Sequence, residues 1–513
     1  MKKMMRGFWR SVCPLLVVIG CLISLSVPVF GQAIPSTTLQ QLAFIGIPNW
    51  ITSAAVGPTA NVASYDVPSF NRFTGVMYLT DRPNFGVAAI DTKTLTYLGN
   101  IELPGCRTNS ACSPSGVLVV PDLQKLIVTD RNVSIYIYDL RVPGQGPVAI
   151  LPSPPGSDEL DYDPINQRVY IGNTTSSFSV TVVDVKNNKL LGSIPVPTAP
   201  EQPRFNPVDG MIYVNDPGSL TVHIIDPAQG PFGTIVNSFK TPGAPGDCCN
   251  AIDVDPVTDT ALLSGSPGQQ VFMDLRSGAT TVASPTTAGD IGMFNPHNRR
   301  WYVALDNRGT PSSVTLPCTK ASDGRTYMLG VFSDAPTANQ FVGVQCTGRG
   351  HAVAGVDTLN NNIYVPQVQY PADPNSADTG RPGILVFHDP AADVLGVPAG
   401  TVQSWTTATL ATVGGSGVTG TVAISLRRRN MFVDAGLNGL PANSTSTFLV
   451  ITTSAGNETI NCGVSATGQG FCQGDLIGDP LIGGIAVVGS AGNRVASGTL
   501  TSVATFPTFI PTD

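Results

Sequence analysis

Tyr162-Asp-Pro-Ile-Asn-Gln-Arg-Val-Tyr170-Ile, Phe205-Asn-Pro-Val-Asp-Gly-Met-Ile-Tyr213-Val and Val254-Asp-Pro-Val-Thr-Asp-Thr-Ala-Leu262-Leu are three versions of one phrase: an apolar strand, an Asx-Pro turn and a second apolar strand. The phrase recurs at Phe294-Asn-Pro296 with Trp301-Tyr302-Val303 and at Val356-Asp357 with Ile363-Tyr364-Val365. Looser copies stand at Tyr65-Asp66 with Met77-Tyr78-Leu79 and at Val120-Pro121 with Leu126-Ile127-Val128, which makes seven. A third strand ending in Asp follows in most copies, at Asp91, Asp139, Asp184, Asp226, Asp274 and, late in the seventh, Asp389; the sixth copy lacks it. A fourth strand is visible at Lys189-Leu-Leu-Gly192-Ser-Ile-Pro-Val196.

Four short strands per repeat, separated by turn residues, predict an all-β fold of the β-propeller kind, because a small sheet buries its two faces only against neighbouring copies. Composition agrees. Only 12% of the 513 residues are charged and there are 54 Gly and 43 Pro, a surface too poor in Lys and Glu for helices. Seven four-stranded antiparallel blades are expected over residues 40–400, with a strand near Leu42 to Ile47 closing the ring against a blade formed late in the chain. Residues 401–513 are expected to be a β-rich extension or an eighth, diverged blade around Thr421 to Ile451, with Gly414 to Gly420 as a connector.

These residues resemble the bacterial YVTN-type β-propeller family, in which a Tyr-Val strand is followed by a Val-Val-Asp strand and an exit like Gly192-Ser193-Ile194-Pro195-Val196. The resemblance implies the fold. It leaves function open, since that family is a scaffold with varied roles.

Lys2, Lys3, Arg6 and Arg10 precede an apolar run from Val12 to Phe30 that ends in the small residues Gly31 and Ala33, which reads as a secretory signal over residues 1–33. Lipid anchoring at Cys21 is the lesser alternative, because the apolar run continues past it. The chain is therefore expected to be secreted or periplasmic, monomeric and without a transmembrane segment. Without the signal, 24 basic residues face 35 acidic ones, a poor match for nucleic acid. Eight cysteines then remain, for which Cys106–Cys112, Cys318–Cys346, Cys462–Cys472 and a vicinal Cys248–Cys249 are the expected disulfides.

Counting five residues back from the residue before each turn proline reaches Asn61, Ser115, Asp158, Glu201, Asn250 and Asp290, with Ala352 next to His351 in the seventh copy. This position opens the innermost strand, so these side chains should gather at one mouth of the axial channel. Asp158, Glu201, Asn250 and Asp290 carry the hard oxygen ligands that calcium takes. The competing reading is that they cap turn N–H groups. The arrangement is similar in logic to calcium-centred gluconolactonase and paraoxonase propellers, which implies a cation polarising a lactone or ester carbonyl, with His351 as base. Cys248 and Cys249 adjoin Asn250 and would stiffen the mouth or stack on a planar ligand; with Asn61 and Ser115 they complete the expected ligand-binding set. His223, His297 and His388 read as structural.

There is no CxxCH for haem, no GxSxG, HExxH or phosphate loop, and the Trp-bearing repeats of quinone-dependent dehydrogenases are missing, so haem, pyrroloquinoline quinone and nucleotides are not expected. The leading expectation is a binding scaffold for a small molecule, glycan or envelope protein. The alternative is a calcium-dependent lactonase or esterase.

Overall fold

The structure, a computed structural model, describes residues 36–47, 65–390 and 402–503 apart from short loop segments within them, the longest spanning 368–381. Seven four-stranded antiparallel sheets follow one another along the chain. Blade 1 begins with the inner strand Tyr65–Asn71, and blades 2 to 6 with Pro114–Val120, Ser157–Asp163, Pro203–Phe205, Ala251–Asp255 and Ala288–Asn295. Blade 7 runs Gly355–Asp357, Asn362–Gln367 and Gly383–His388, and its outermost strand is the N-terminal segment Gln40–Gly46. Ile45 pairs with Ile384 and Phe44 with Leu385, so the two ends of the propeller close one blade together. Inner strands of successive blades pack side by side, and blade 7 meets blade 1.

The repeated phrase does the same work in each copy. The residue four beyond the Asx position lies in the left-handed region in all seven blades: Gly75, Gln124, Gln167, Gly210, Asp259, Arg299 and Asn361, with φ from 48° to 76°. It sends the chain from the inner strand back into the second. The tyrosines of the second strand are the bolts between blades. Tyr78, Tyr170, Tyr213, Tyr302 and Tyr364 are fully buried. The Tyr170 hydroxyl donates to the Phe232 carbonyl of blade 4, Tyr213 to Leu275 of blade 5 and Tyr364 to Thr92 of blade 1, at 3.2, 3.4 and 3.3 Å. The third-strand aspartates cap the next hairpin: Asp91 accepts from the Lys93 and Thr94 amides and Asp274 from those of Arg276 and Ser277. In the sixth copy Ser333 pairs with Arg300 where blade 3 pairs Asp184 with Arg168, which accounts for the missing aspartate.

Residues 402–503 are not an eighth blade. Nine strands from Val402–Thr412 to Thr501–Val503 pair in one antiparallel sheet, and Val402–Thr412 pairs back onto Thr419–Arg427, so the sheet closes on itself. Leu410, Val433, Leu449, Ile451 and Ala496 fill a core separate from those of the blades. Of the expected connector, the described residues 416–420 lead into the barrel strand Thr419–Arg427, which pairs with Val402–Thr412, rather than joining two domains. The disulfides Cys106–Cys112, Cys318–Cys346 and Cys462–Cys472 are all formed. Among the described residues, no helix is long and apolar enough to cross a membrane. The proposed signal segment lies outside the described residues.

Candidate functional site

An innermost strand has no neighbour on its channel side, so its edge N–H groups need other acceptors. Side chains of the preceding blade supply them. Ser69 Oγ accepts from the Val119 amide at 2.9 Å, Asp161 from Phe205 at 2.7 Å, Gln202 from Ile252 at 3.0 Å and Asp253 from Phe294 at 2.6 Å. Arg204 lies between Asp161 and Asp253, with its Nε 3.2 Å from Asp253. This inner layer is structural: each of these side chains accepts from an edge amide of the next blade, and of the four only Gln202 keeps a buried atom, its Nε2, without a partner among the described residues.

The layer above it is different. Aligning the blades on the residue paired with the second-strand Tyr (Ser69, Leu118, Asp161, Arg204, Asp253, Met293 and Gly355) places Asp66, Ser115, Asp158, Glu201, Asn250 and Asp290 at equivalent positions three residues earlier. The counted positions are therefore equivalent in blades 2 to 6, and in blade 1 the equivalent position is shifted. There Tyr65-Asp66 opens the inner strand instead of ending it, and the turn lies at Asn71, so Asp66 takes the place assigned to Asn61. Asn61, His351 and Cys248 lie outside the described residues. Cys249 is buried and disulfide-bonded.

The ring is lopsided. Asp66, Ser115 and Asp158 are buried, whereas Glu201, Asn250 and Asp290 are partly exposed. Arg82 and Arg131, which follow the second strands of blades 1 and 2, reach over the buried side. Arg82 pairs with Asp66, donates to the Pro114 carbonyl at 3.0 Å and to Ser115 Oγ at 3.2 Å, and Arg131 pairs with Asp158. Glu159, next to Asp158, is 5% exposed. Its Oε2 and the Oδ1 of Asp158 are buried without a hydrogen-bond partner among the described residues. The Glu201 side chain makes no hydrogen bond or ion pair among the described residues; only its amide is used, donating to the Asn215 carbonyl at 3.0 Å.

These acids share one electrostatic neighbourhood. Burial, reinforced by Asp66, raises Asp158 to about 6 against the pull of Arg131 and Arg82. Burial together with Asp158 and Asp290 raises Glu201 to about 9, and burial with Asp66, Asp158, Asp290 and Glu201 pushes Glu159 well above the carboxylate range. Carboxylates from blades 1, 3, 4 and 6 thus face one another across the channel with two guanidiniums among them.

Oxygen donors of this kind suit a hard cation, but among the described residues no three of these carboxylates stand close enough to share one. Calcium ligands lie about 2.3–2.6 Å from the ion, so any two stand at most roughly 5 Å apart. Among the described residues, the only three His, Cys, Asp or Glu ligand atoms within 4.8 Å of one another belong to Cys106, Cys112 and Asp130, and those sulfurs form a disulfide. Asp158, Glu201 and Asp290 do not form such a group.

Sequence reasoning passed over Glu159 and the two arginines. The arginines had a signal, since Thr80-Asp81-Arg82 and Thr129-Asp130-Arg131 are the same tripeptide at the same place in consecutive repeats. Glu159 had none, because only the bulge between Ser157 and Leu160 turns it toward the other acids. Of the histidines, His223 is buried between Ser238 Oγ at 2.9 Å and Asp216 at 3.3 Å, and His388 Nδ1 stands 3.1 Å from Asn362 Oδ1; both are strand-linking groups.

Fold and site together define a seven-bladed β-propeller with an acidic channel mouth and a C-terminal closed barrel. No protein-family model matches the chain, and no curated protein does. Among solved structures, one described as "Crystal Structure of Mitotic Checkpoint Complex" is similar with a TM-score of 0.48 and 12% identity, over 76% of this chain and 100% of that one.

Proposed function

We propose that this protein is an exported binding scaffold of the YVTN type, which recognises a small molecule, glycan or protein at the channel mouth ringed by Asp66, Ser115, Asp158, Glu201, Asn250 and Asp290. One observation carries the reading. Buried carboxyl oxygens of Asp158 and Glu159 are left without hydrogen-bond partners among the described residues, on the acids that gather at this ring. A buried polar oxygen without a hydrogen-bond partner costs about 1–3 kcal/mol, which folding alone gives no reason to retain. Thermal shift of wild type and an Asp158→Asn, Asp290→Asn double variant against glycans, peptides, organic ions and calcium chloride tests it. A shift present in wild type and lost in the variant supports the mouth; shifts that persist in the variant overturn it.

The second reading is a calcium-dependent lactonase or esterase-like hydrolase at the same mouth, favoured by those two unpartnered oxygens. It requires the carboxylates to close around one ion, with His351 as base. About one chelator-sensitive calcium per chain, together with ester hydrolysis lost in the double variant, would support it; a metal-free, chelator-indifferent protein would overturn it.

A further inference from the structure

The same channel shows what cation its acids accept. Three times a guanidinium is seated against carboxylates, each time with groups of a neighbouring blade: Arg82 on Asp66 and Ser115, Arg131 on Asp158, and Arg204 on Asp253 beside Asp161. Two of these cover the side of the mouth formed by blades 1 to 3. The side formed by blades 4 to 6 leaves Glu201, Asn250 and Asp290 partly exposed, and Glu159 of blade 3, 95% buried and with its Oε2 unpartnered among the described residues, lies within the field of Glu201 and Asp290. Blades 4 and 5 carry no arginine directly after their second strands, where the chain reads Asp216-Pro217 and Ser264-Gly265, and in blade 6 the arginine that follows, Arg308, is paired with Asp306.

We infer that this open half of the mouth receives a guanidinium group, carried by an arginine side chain of a partner polypeptide, against Glu201 and Glu159 and within the field of Asp158 and Asp290. The inference rests on the channel-mouth reading and names its ligand. The argument is one of shape as well as charge. A guanidinium spreads five N–H donors over a rigid plane, so it can bond carboxylates that do not converge on one point, and no three of the acids here converge within 4.8 Å. An ammonium concentrates its charge at one point and cannot span them.

Proton linkage gives a readout that diffuse surface attraction would not. Burial, Asp158, Asp290 and Asp66 hold Glu201 up at about 9 against the opposing pull of Arg131, so it is largely protonated at pH 7. Seating a cation there expels that proton. Affinity should therefore rise as pH is raised from 7 toward 9.

The test is calorimetric titration of the full chain with triarginine, trilysine and calcium chloride at pH 7 and 8.5, in low and moderate salt. Wild type, Glu201→Gln and Glu159→Gln are compared, with melting curves confirming that each variant folds. The expected result is triarginine binding at least tenfold tighter than trilysine, tighter at pH 8.5, with release of about one proton, and at least tenfold weaker in Glu201→Gln. Equal binding of the two peptides, or binding indifferent to Glu201→Gln, overturns the inference. If calcium or another ligand binds wild type but not Glu201→Gln while triarginine does not bind, the guanidinium falls and the channel-mouth reading stands. If no ligand distinguishes wild type from the variants, both fall.

Discussion

Glu201→Gln should stabilise the propeller, and by an amount that grows with pH. In the folded chain the Glu201 carboxyl titrates near 9 against an ordinary value of 4.5, because of burial first and then Asp158 and Asp290. A carboxyl whose folded pKa is raised contributes its full stability below about pH 4.5 and loses it progressively as pH rises toward 9. Each pKa unit corresponds to about 1.4 kcal/mol, so the deficit at pH 7 has an upper limit of roughly 3 kcal/mol. Glu201 is partly solvent-exposed, and screening brings this to about 1–2 kcal/mol. Glutamine keeps the shape and the backbone bond to Asn215 but cannot ionise. With roughly 350 residues unfolding at about 2.1 cal/mol/K each, the gain corresponds to about 1.5–3 °C in the propeller transition at pH 7. It should vanish near pH 4.5 and be larger at pH 8.5. Differential scanning calorimetry of both proteins at the three pH values measures it. A gain that does not change with pH, or a variant less stable than wild type at pH 8.5, would refute the electrostatic picture of the mouth. Sites kept for binding are commonly less stable than the fold permits.

Three further outcomes follow from the geometry. A Cβ at Gly116 would stand 2.2 Å from the Asp158 carbonyl oxygen, and one at Gly172 2.2 Å from that of Glu201; Gly116→Ala and Gly172→Ala should each cost about 1–3 kcal/mol in urea titration, while Gly46→Ala, with nothing within 4 Å, should not destabilise. Deleting residues 36–47 removes the outer strand of blade 7, and size-exclusion chromatography should show association through the exposed edge; a monomer melting like wild type would argue against ring closure by this segment. Asp216 sits at about 2, below its ordinary 3.8, because hydrogen bonds from His223, Thr198 and Ser219 outweigh the opposing effect of burial. Its stabilisation of roughly 2.5 kcal/mol is complete above pH 3.8 and is lost as pH falls through 2, so the acid limb of the stability curve should flatten in Asp216→Asn, and an unchanged limb would contradict that assignment.

The propeller was legible in the sequence because its unit is local. The inner strand, Asx turn and Tyr-bearing second strand fit within a dozen residues, and their periodicity survives even where single residues change, as at Ser333. Local cysteine spacing likewise anticipated three disulfides. Five ring positions, Ser115 to Asp290, could be reached by counting because each is a constant distance from its turn. The count failed in blade 1, where a Tyr-Asp pair opening the strand imitates one ending it.

What only the tertiary structure decided depends on contacts between segments far apart in the chain. Closure of residues 402–503 into a barrel instead of an eighth blade is settled by the pairing of Val402–Thr412 with strands on both sides, and hydrophobic alternation is the same in either arrangement. The division of the mouth into an arginine-covered half and an open acidic half is set by which side chains meet across the channel. Asp66 and Asp290 lie more than two hundred residues apart in sequence yet act on the same Glu159. A sequence read along its length records which residues carry charge; which of those charges are left without a partner is a property of the closed ring.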